Sequence, residues 1–276
     1  MRIDAHQHYW KLDRDDYGWI TPELQVLYRD FMPADLEKHL RDNDISGTIT
    51  VQAAPTIEET DYLLTLAEGA DSILGVVGWL DLFDPGQRGH FQRFRQHPKF
   101  VGFRIMIQDM PDANRILEPA FVEALREYAE EDVPVDLLVK ADQLGALNLL
   151  LEQVPGLRSV IDHIAKPKIA EGLFEPWAEQ LKRAASHPNI CCKLSGMVTE
   201  ADHRTWKKEH FTRYVRHVLE AFGPRRVLFG TDWPVCLLAA GYDDVVDILE
   251  QALPDTWGKH ERARLYGDNA KEFYKL

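Results

Sequence analysis

The chain opens with two histidines one residue apart, His6-Gln7-His8, at the end of a short run, Arg2–Gln7. Side chains alternate across an extended strand, so His6 and His8 are expected to share a face with Asp4. Two imidazoles placed this way can chelate a metal or polarise a carbonyl oxygen. A second feature is Asp162-His163, followed by Ile164-Ala165-Lys166-Pro167. Neighbours on a strand face opposite ways, so an inward His163 makes Asp162 a structural partner in the outer layer. Alone, His163 reads as a histidine satisfied at a strand end.

The third feature is the segment LFGTDWP, residues 228–234. Asp232 follows directly on an apolar strand, where a carboxylate can take a proton from water; the plainer reading is an N-cap for the next helix. Fourth, Arg104 stands inside the apolar run Phe100–Ile107. A guanidinium there is costly unless paired. It can clamp a carboxylate, polarise a carbonyl oxygen, or simply sit in a buried ion pair.

Such residues need elements to hold them. Eight short apolar runs read as strands: Arg2–Gln7, Thr48–Gln52, Ile73–Leu80, Phe100–Ile107, Val133–Val139, Ser159–Ile164, Asn189–Leu194 and Arg226–Gly230. Amphipathic stretches between them read as helices: Pro33–Asn43, Thr56–Gly69, Pro119–Glu131, Ala141–Gln153, Phe174–His187, Glu209–Phe222 and Tyr242–Leu253. Thr56 and Glu59 have the spacing of a capping box. Helices alternating with fully apolar strands imply parallel strands with crossovers, and eight such units close into a (β/α)8 TIM barrel. No Gly-rich loop follows the first strand, which argues against an open dinucleotide-binding sheet. The expected fold class is therefore α/β, a single barrel domain over residues 1–276. A long insert, residues 10–32, follows the first strand, and a second, about 195–208, follows the seventh. The first carries Trp10 and Trp19 and reads as a lid or pocket wall, or as a loop packed on its own aromatics. In a barrel the strand ends gather at one mouth, so His6, His8, His163 and Asp232 converge there.

Composition narrows the function. Among 276 residues, 32 Lys and Arg stand against 45 Asp and Glu, a formal net charge of −13. That balance argues against nucleic acid and anionic membrane as partners. Apolar residues are 45% and charged ones 28%, which excludes a disordered chain. Cys191, Cys192 and Cys236 form no C-x-x-C pair and read as packing, so neither a disulfide framework nor a cysteine zinc cage is expected. No G-x-S-x-G elbow and no Cys–His pairing points to a serine or thiol nucleophile. The opening MRIDAHQHYW lacks an apolar signal core and no run of 18 apolar residues occurs, so a cytoplasmic location is expected.

The segments IDAHQHYW, GWLDL, VGFRIMIQ, VDLLV, DHIAKP, CCKLSG, FGTDWPV and YGDNAKEFY, in this order, resemble the amidohydrolase superfamily. The likeness is to its metal-poor amidohydrolase 2 branch of sugar lactonases, which includes L-fuconolactone and L-rhamnonolactone hydrolases, and it extends over essentially the whole chain. It implies a (β/α)8 barrel and opening of a lactone ring by water. The superfamily pattern falls on His6 and His8 of strand 1, His163 of strand 6 and Asp232 of strand 8. The chain departs from it at strand 4, which carries Arg104, and at strand 5, VPVDLLVK, which has no His. A two-metal site is thereby excluded. His6, His8 and Asp232 can still hold one divalent metal such as zinc, with water or His163 as fourth ligand, or the site works without a cofactor.

For a lactone the expected roles follow. Asp232 serves as general base and then acid, while His6, His8, His163 and Arg104 polarise the carbonyl. Gln52, Lys166 and Lys193 are candidates for sugar hydroxyls, and Trp79 and Trp233 for stacking on the ring. Two other readings remain open at this point: a metal-dependent decarboxylase of a small unsaturated or aromatic acid, and a non-catalytic barrel that binds sugar acids.

Overall fold

The computed structural model describes residues 1–276. Eight parallel strands follow one another in spatial order: β1 (Arg2–Gln7), β2 (Ile45–Val51), β3 (Ile73–Trp79), β4 (Phe100–Met106), β5 (Val135–Leu138), β6 (Ser159–Ile161), β7 (Ile190–Leu194) and β8 (Val227–Phe229). The ring closes between its first and last strands. His8 N donates to Trp233 O at 2.7 Å and Asp232 N donates to His6 O at 2.8 Å. The expected (β/α)8 barrel is therefore present, and the closing bonds tie the two most informative segments together.

The outer layer comprises α1 (Pro33–Asp42), α2 (Ile57–Glu68), α3 (Gln87–Phe94), α4 (Pro119–Glu130), α5 (Leu144–Gln153), α6 (Trp177–Ala185), α7 (Glu209–Phe222) and α8 (Tyr242–Ala252). Two short helices, α9 (Lys259–Ala263) and α10 (Asn269–Tyr274), end the chain. Helix α3 escapes sequence reading because its QRGHFQRF buries little beyond Phe91 and Phe94. At α2, Thr56 Oγ1 caps Glu59 N at 3.1 Å, but no reciprocal bond forms. The Glu59 carboxylate instead accepts from Ala53 N at 2.9 Å and Ala54 N at 2.6 Å, pinning the loop after β2. No helix is long and apolar enough to cross a membrane.

Two apolar cores result. The larger lies between strands and helices. The smaller fills the barrel interior, where Ile3, Ala5, Ile49, Val51, Val77, Val160 and Leu228 meet Phe273 and Tyr274 of α10. Above this layer the interior turns polar. The change begins at a bulge in β1: Asp4 pairs with Thr48 and Gln7 with Thr50, so three steps on β1 match two on β2. The extra residue corrects the expected alternation. Asp4 leaves the face of His6 and His8, and its carboxylate accepts from Thr231 N at 3.0 Å and from Tyr242 Oη of α8 at 3.1 Å.

Candidate active site

His6, His8, His163 and Asp232 meet at the C-terminal mouth of the barrel, each at most 4% exposed. Asp232 Oδ1 lies 3.2 Å from His8 Nε2 and 3.8 Å from both His6 Nε2 and His163 Nε2. Backbone conformation makes this possible. His163, Ile164, Ala165 and Lys166 all have positive φ, between 46° and 59°, and Asp232 has φ 60°. Such geometry is costly for side-chain-bearing residues and collects at functional sites. It also corrects the expected division of Asp162 from His163. The left-handed turn begins where β6 ends, so both side chains face inward.

Asp162 consequently sits among cations. Its Oδ1 is 3.3 Å from His6 Nδ1 and 3.1 Å from Lys193 Nζ, and its Oδ2 is 3.5 Å from Arg104 Nη1. Arg104 is held from the other side by Gln52, whose Oε1 accepts from Nε at 2.8 Å and whose backbone carbonyl accepts from Nη2. Lys193 Nζ also bonds Asp136. Arg104 thus occupies the buried ion pair and still reaches the cavity wall.

Burial holds His6 and His163 well below the usual imidazole range, against opposing pulls from Asp162 and Asp232. For Asp232, burial works to raise the carboxyl, but His163, His8 and Lys166 outweigh it and keep it below its ordinary value. Asp162 is likewise lowered, because Lys193 and His6 overcome burial. Burial dominates at Asp136 and pushes it up to about 6 despite Lys193.

A cavity of about 570 Å³ opens above these groups. Its floor includes His8, Arg104, His163 and Asp232, and its rim includes Lys166 and Glu200, with Nζ and Oε1 3.6 Å apart. Trp19, Ala53, Val235 and Leu238 supply apolar wall. The insert after β1 does both things considered for it. Trp10 packs on Phe31 and Trp19 with ring centroids 5.2 and 5.6 Å away, and Trp19, anchored by its indole N–H to Ala53 O at 2.8 Å, faces the cavity.

Among the residues put forward for sugar contacts, only Lys166 lies on the wall. Gln52 is fully buried behind Arg104. Lys193 is fully buried beneath His6. Trp233 is packed against Tyr9 and Phe31, with centroids 6.0 and 5.2 Å away. Trp79 is half-buried and stands off the wall. Sequence reading missed Glu200, Asp16 and Gln108, polar residues on loops that no strand periodicity places. It also missed Asp136, although an acid inside VPVDLLV signals a buried counter-charge by the same logic that singles out Arg104.

The donor set suits one divalent cation. The nitrogens of His6 and His8 and the carboxylate of Asp232 place one buried donor atom each within 4.8 Å of one another. His8 Nδ1 must donate to Val51 O at 2.7 Å, so its Nε2 lone pair faces the Asp232 carboxylate at 3.2 Å. Two acceptors at that distance call for a cation or a proton between them. A second buried donor group, His6, Asp162 and His163, shares His6 with the first, while on β5 Val135–Leu138 offers only Asp136, which is bound to Lys193.

A family model described as amidohydrolase matches residues 3–276. An L-fucono-1,5-lactonase of Burkholderia ambifaria is 40% identical over 100% of this chain and 96% of its own length. An L-fucono-1,5-lactonase of Burkholderia multivorans is 36% identical, again over 100% and 96%. A crystal structure of an amidohydrolase from Burkholderia multivorans with bound zinc superimposes with TM-score 0.94 at 36% identity, covering 100% of this chain and 99% of the other.

Proposed function

The chain belongs to the amidohydrolase family, and from that premise we propose that it is a lactonase, opening the ring of a sugar lactone of the L-fucono or L-rhamnono type with water. The observation that carries this reading is the Asp232 carboxylate at the floor of a cavity, ringed by three histidines and beside a fixed arginine. Whole-length likeness to two L-fucono-1,5-lactonases supports the substrate class. The decarboxylase and the non-catalytic readings have no comparable support.

Asp232 takes a proton from a water molecule, and that water's oxygen bonds to the lactone carbonyl carbon. The carbonyl oxygen becomes an oxyanion, stabilised by the Arg104 guanidinium and the His163 imidazole at the cavity floor. Gln52 and Asp162 keep Arg104 from folding away. As the ring C–O bond breaks, Asp232 returns its proton to the ring oxygen, leaving a hydroxy acid. Lys166 and Glu200 at the rim hydrogen-bond sugar hydroxyls, and Trp19 covers an apolar face. His6, His8 and Asp232 are the residues that would hold a divalent ion such as zinc, which when bound supplies Lewis-acid polarisation of the carbonyl oxygen.

The test is acid release, followed with a pH indicator, from a panel of L- and D-aldonolactones. Release from L-fucono- or L-rhamnonolactone is expected. No release from any lactone overturns the reading.

A further inference from the structure

Two successive peptide units in the loop between β2 and α2 link Glu59 to the cavity. The first joins Gln52 to Ala53: the Gln52 carbonyl accepts from Arg104 Nη2, and Ala53 N donates to Glu59 Oε2 at 2.9 Å. The second joins Ala53 to Ala54: the Ala53 carbonyl accepts from the Trp19 indole N–H at 2.8 Å, and Ala54 N donates to Glu59 Oε2 at 2.6 Å. A peptide unit is planar and rigid, so a group that holds its N–H also constrains its C=O. One oxygen of Glu59 thereby constrains the carbonyl that holds Arg104 and the carbonyl that holds Trp19.

These two N–H groups depend on Glu59. In the same loop Gln52 N donates to Val77 O and Thr56 N to Ala54 O, both at 2.9 Å, and Pro55 has no N–H. Ala53 and Ala54 are buried, and their N–H groups would be orphaned without the Glu59 oxygens. Gln52 Nε2 also donates to Ala54 O at 3.1 Å, so the side chain whose Oε1 accepts from Arg104 Nε follows the loop as well. Glu59 is itself fully buried and lies off the cavity wall. Burial pushes its carboxyl up to about 8 against the pull of the two N–H groups, and the oxygen that meets both can accept in either protonation state.

We propose that Glu59 is a positioning residue for the reaction, setting Arg104 for the oxyanion and Trp19 as cavity wall through one acceptor oxygen. The kinetic consequences rest on the lactonase reading; the placement of the two side chains does not. Without that oxygen the two N–H groups must find other partners, the peptide units turn, and both carbonyls leave their donors. A shifted Arg104 lowers kcat, because it acts on charge that develops only in the transition state. A shifted Trp19 raises KM, because the wall is met before and during reaction alike.

The test is a pair of variants: Glu59→Met, which keeps the length and loses the oxygens, and Glu59→Gln, which keeps one. Steady-state kinetics on L-fuconolactone are read beside acrylamide quenching of Trp19, isolated by difference from Trp19→Phe in each background. In Glu59→Met kcat is expected to fall roughly 10- to 100-fold and KM to rise about threefold or more, with Trp19 more readily quenched. Glu59→Gln is expected to stay within about threefold of the wild type in both constants. Should Glu59→Met not fold, Glu59→Asp, one methylene short of the two N–H groups, is expected to show the same pattern. A folded Glu59→Met that loses only thermal stability, with kcat, KM and Trp19 quenching unchanged, overturns the proposal. So does a Glu59→Gln as impaired as Glu59→Met, or rapid hydrogen exchange at the Ala53 and Ala54 amides of the wild type. Absent lactone turnover in the wild type would instead sink the lactonase reading, while quenching and amide exchange still decide the placement.

Discussion

A Cβ added to Gly196 would stand 2.4 Å from His163 Nδ1. The same nitrogen lies 2.9 Å from Ser195 Oγ, so the loop after β7 both anchors the ring and must leave it room. Gly196 also has φ 60°, a conformation that favours glycine. Gly196→Ala is therefore expected to displace His163 and lower kcat/KM by roughly 10- to 100-fold. It should also cost about 1–3 kcal/mol of stability. Steady-state kinetics and thermal denaturation check both; a variant with wild-type turnover would show that the position of His163 is immaterial.

At the rim, Lys166 and Glu200 are about a quarter exposed and 3.6 Å apart, close enough to share a substrate hydroxyl. Glu200→Gln keeps the shape but weakens the acceptor. The expected result is a KM raised roughly three- to tenfold with kcat little changed, because a hydroxyl contact is made equally before and during reaction. A fall in kcat at constant KM would move Glu200 from binding into the chemistry.

The site and the fold read differently from sequence. Strand β1 and helix α7 match their apolar patterns residue for residue, because burial on one face leaves a periodic trace. The histidines and Asp232 are legible because each sits at the end of such a strand. Asp4 and Asp162 are not, since a single bulge and a left-handed turn reverse the side on which each falls. Lys193 is correctly expected to face inward, but alternation along a strand carries no information about depth, and it lies beneath the site instead of on its wall. Trp233 illustrates the reverse error: an aromatic next to Asp232 packs away from the cavity on Tyr9 and Phe31.

At the opposite end of the barrel, Asp132 accepts from Arg158 Nε at 2.6 Å and Nη2 at 2.8 Å, and Lys275 Nζ stands 2.7 Å away. The Arg158 hydrogen bonds, helped by Lys275, hold the Asp132 carboxyl at about 2, against an ordinary value of 3.8. A depressed carboxylate contributes stability that is present above its unfolded value and lost as pH falls through its folded one. Asp132→Asn is thus expected to lower Tm by a few degrees at pH 7, a modest effect because the pair is partly exposed. The difference should close between pH about 4 and about 2, with activity unchanged. A deficit that persists at low pH would assign the effect to packing.

The most direct test compares acid release from L-fuconolactone by the wild type and by Asp232→Asn, each with and without a chelator, alongside lactone binding by calorimetry. The account predicts wild-type turnover that survives the chelator, since Asp232, Arg104 and His163 supply the proton transfer and charge stabilisation themselves. It predicts a loss of roughly 10²- to 10⁴-fold in kcat for Asp232→Asn, with binding retained. Turnover by Asp232→Asn near the wild-type rate would contradict it. Wild-type activity abolished by the chelator and restored by zinc would instead recast His6, His8 and Asp232 as ligands before anything else.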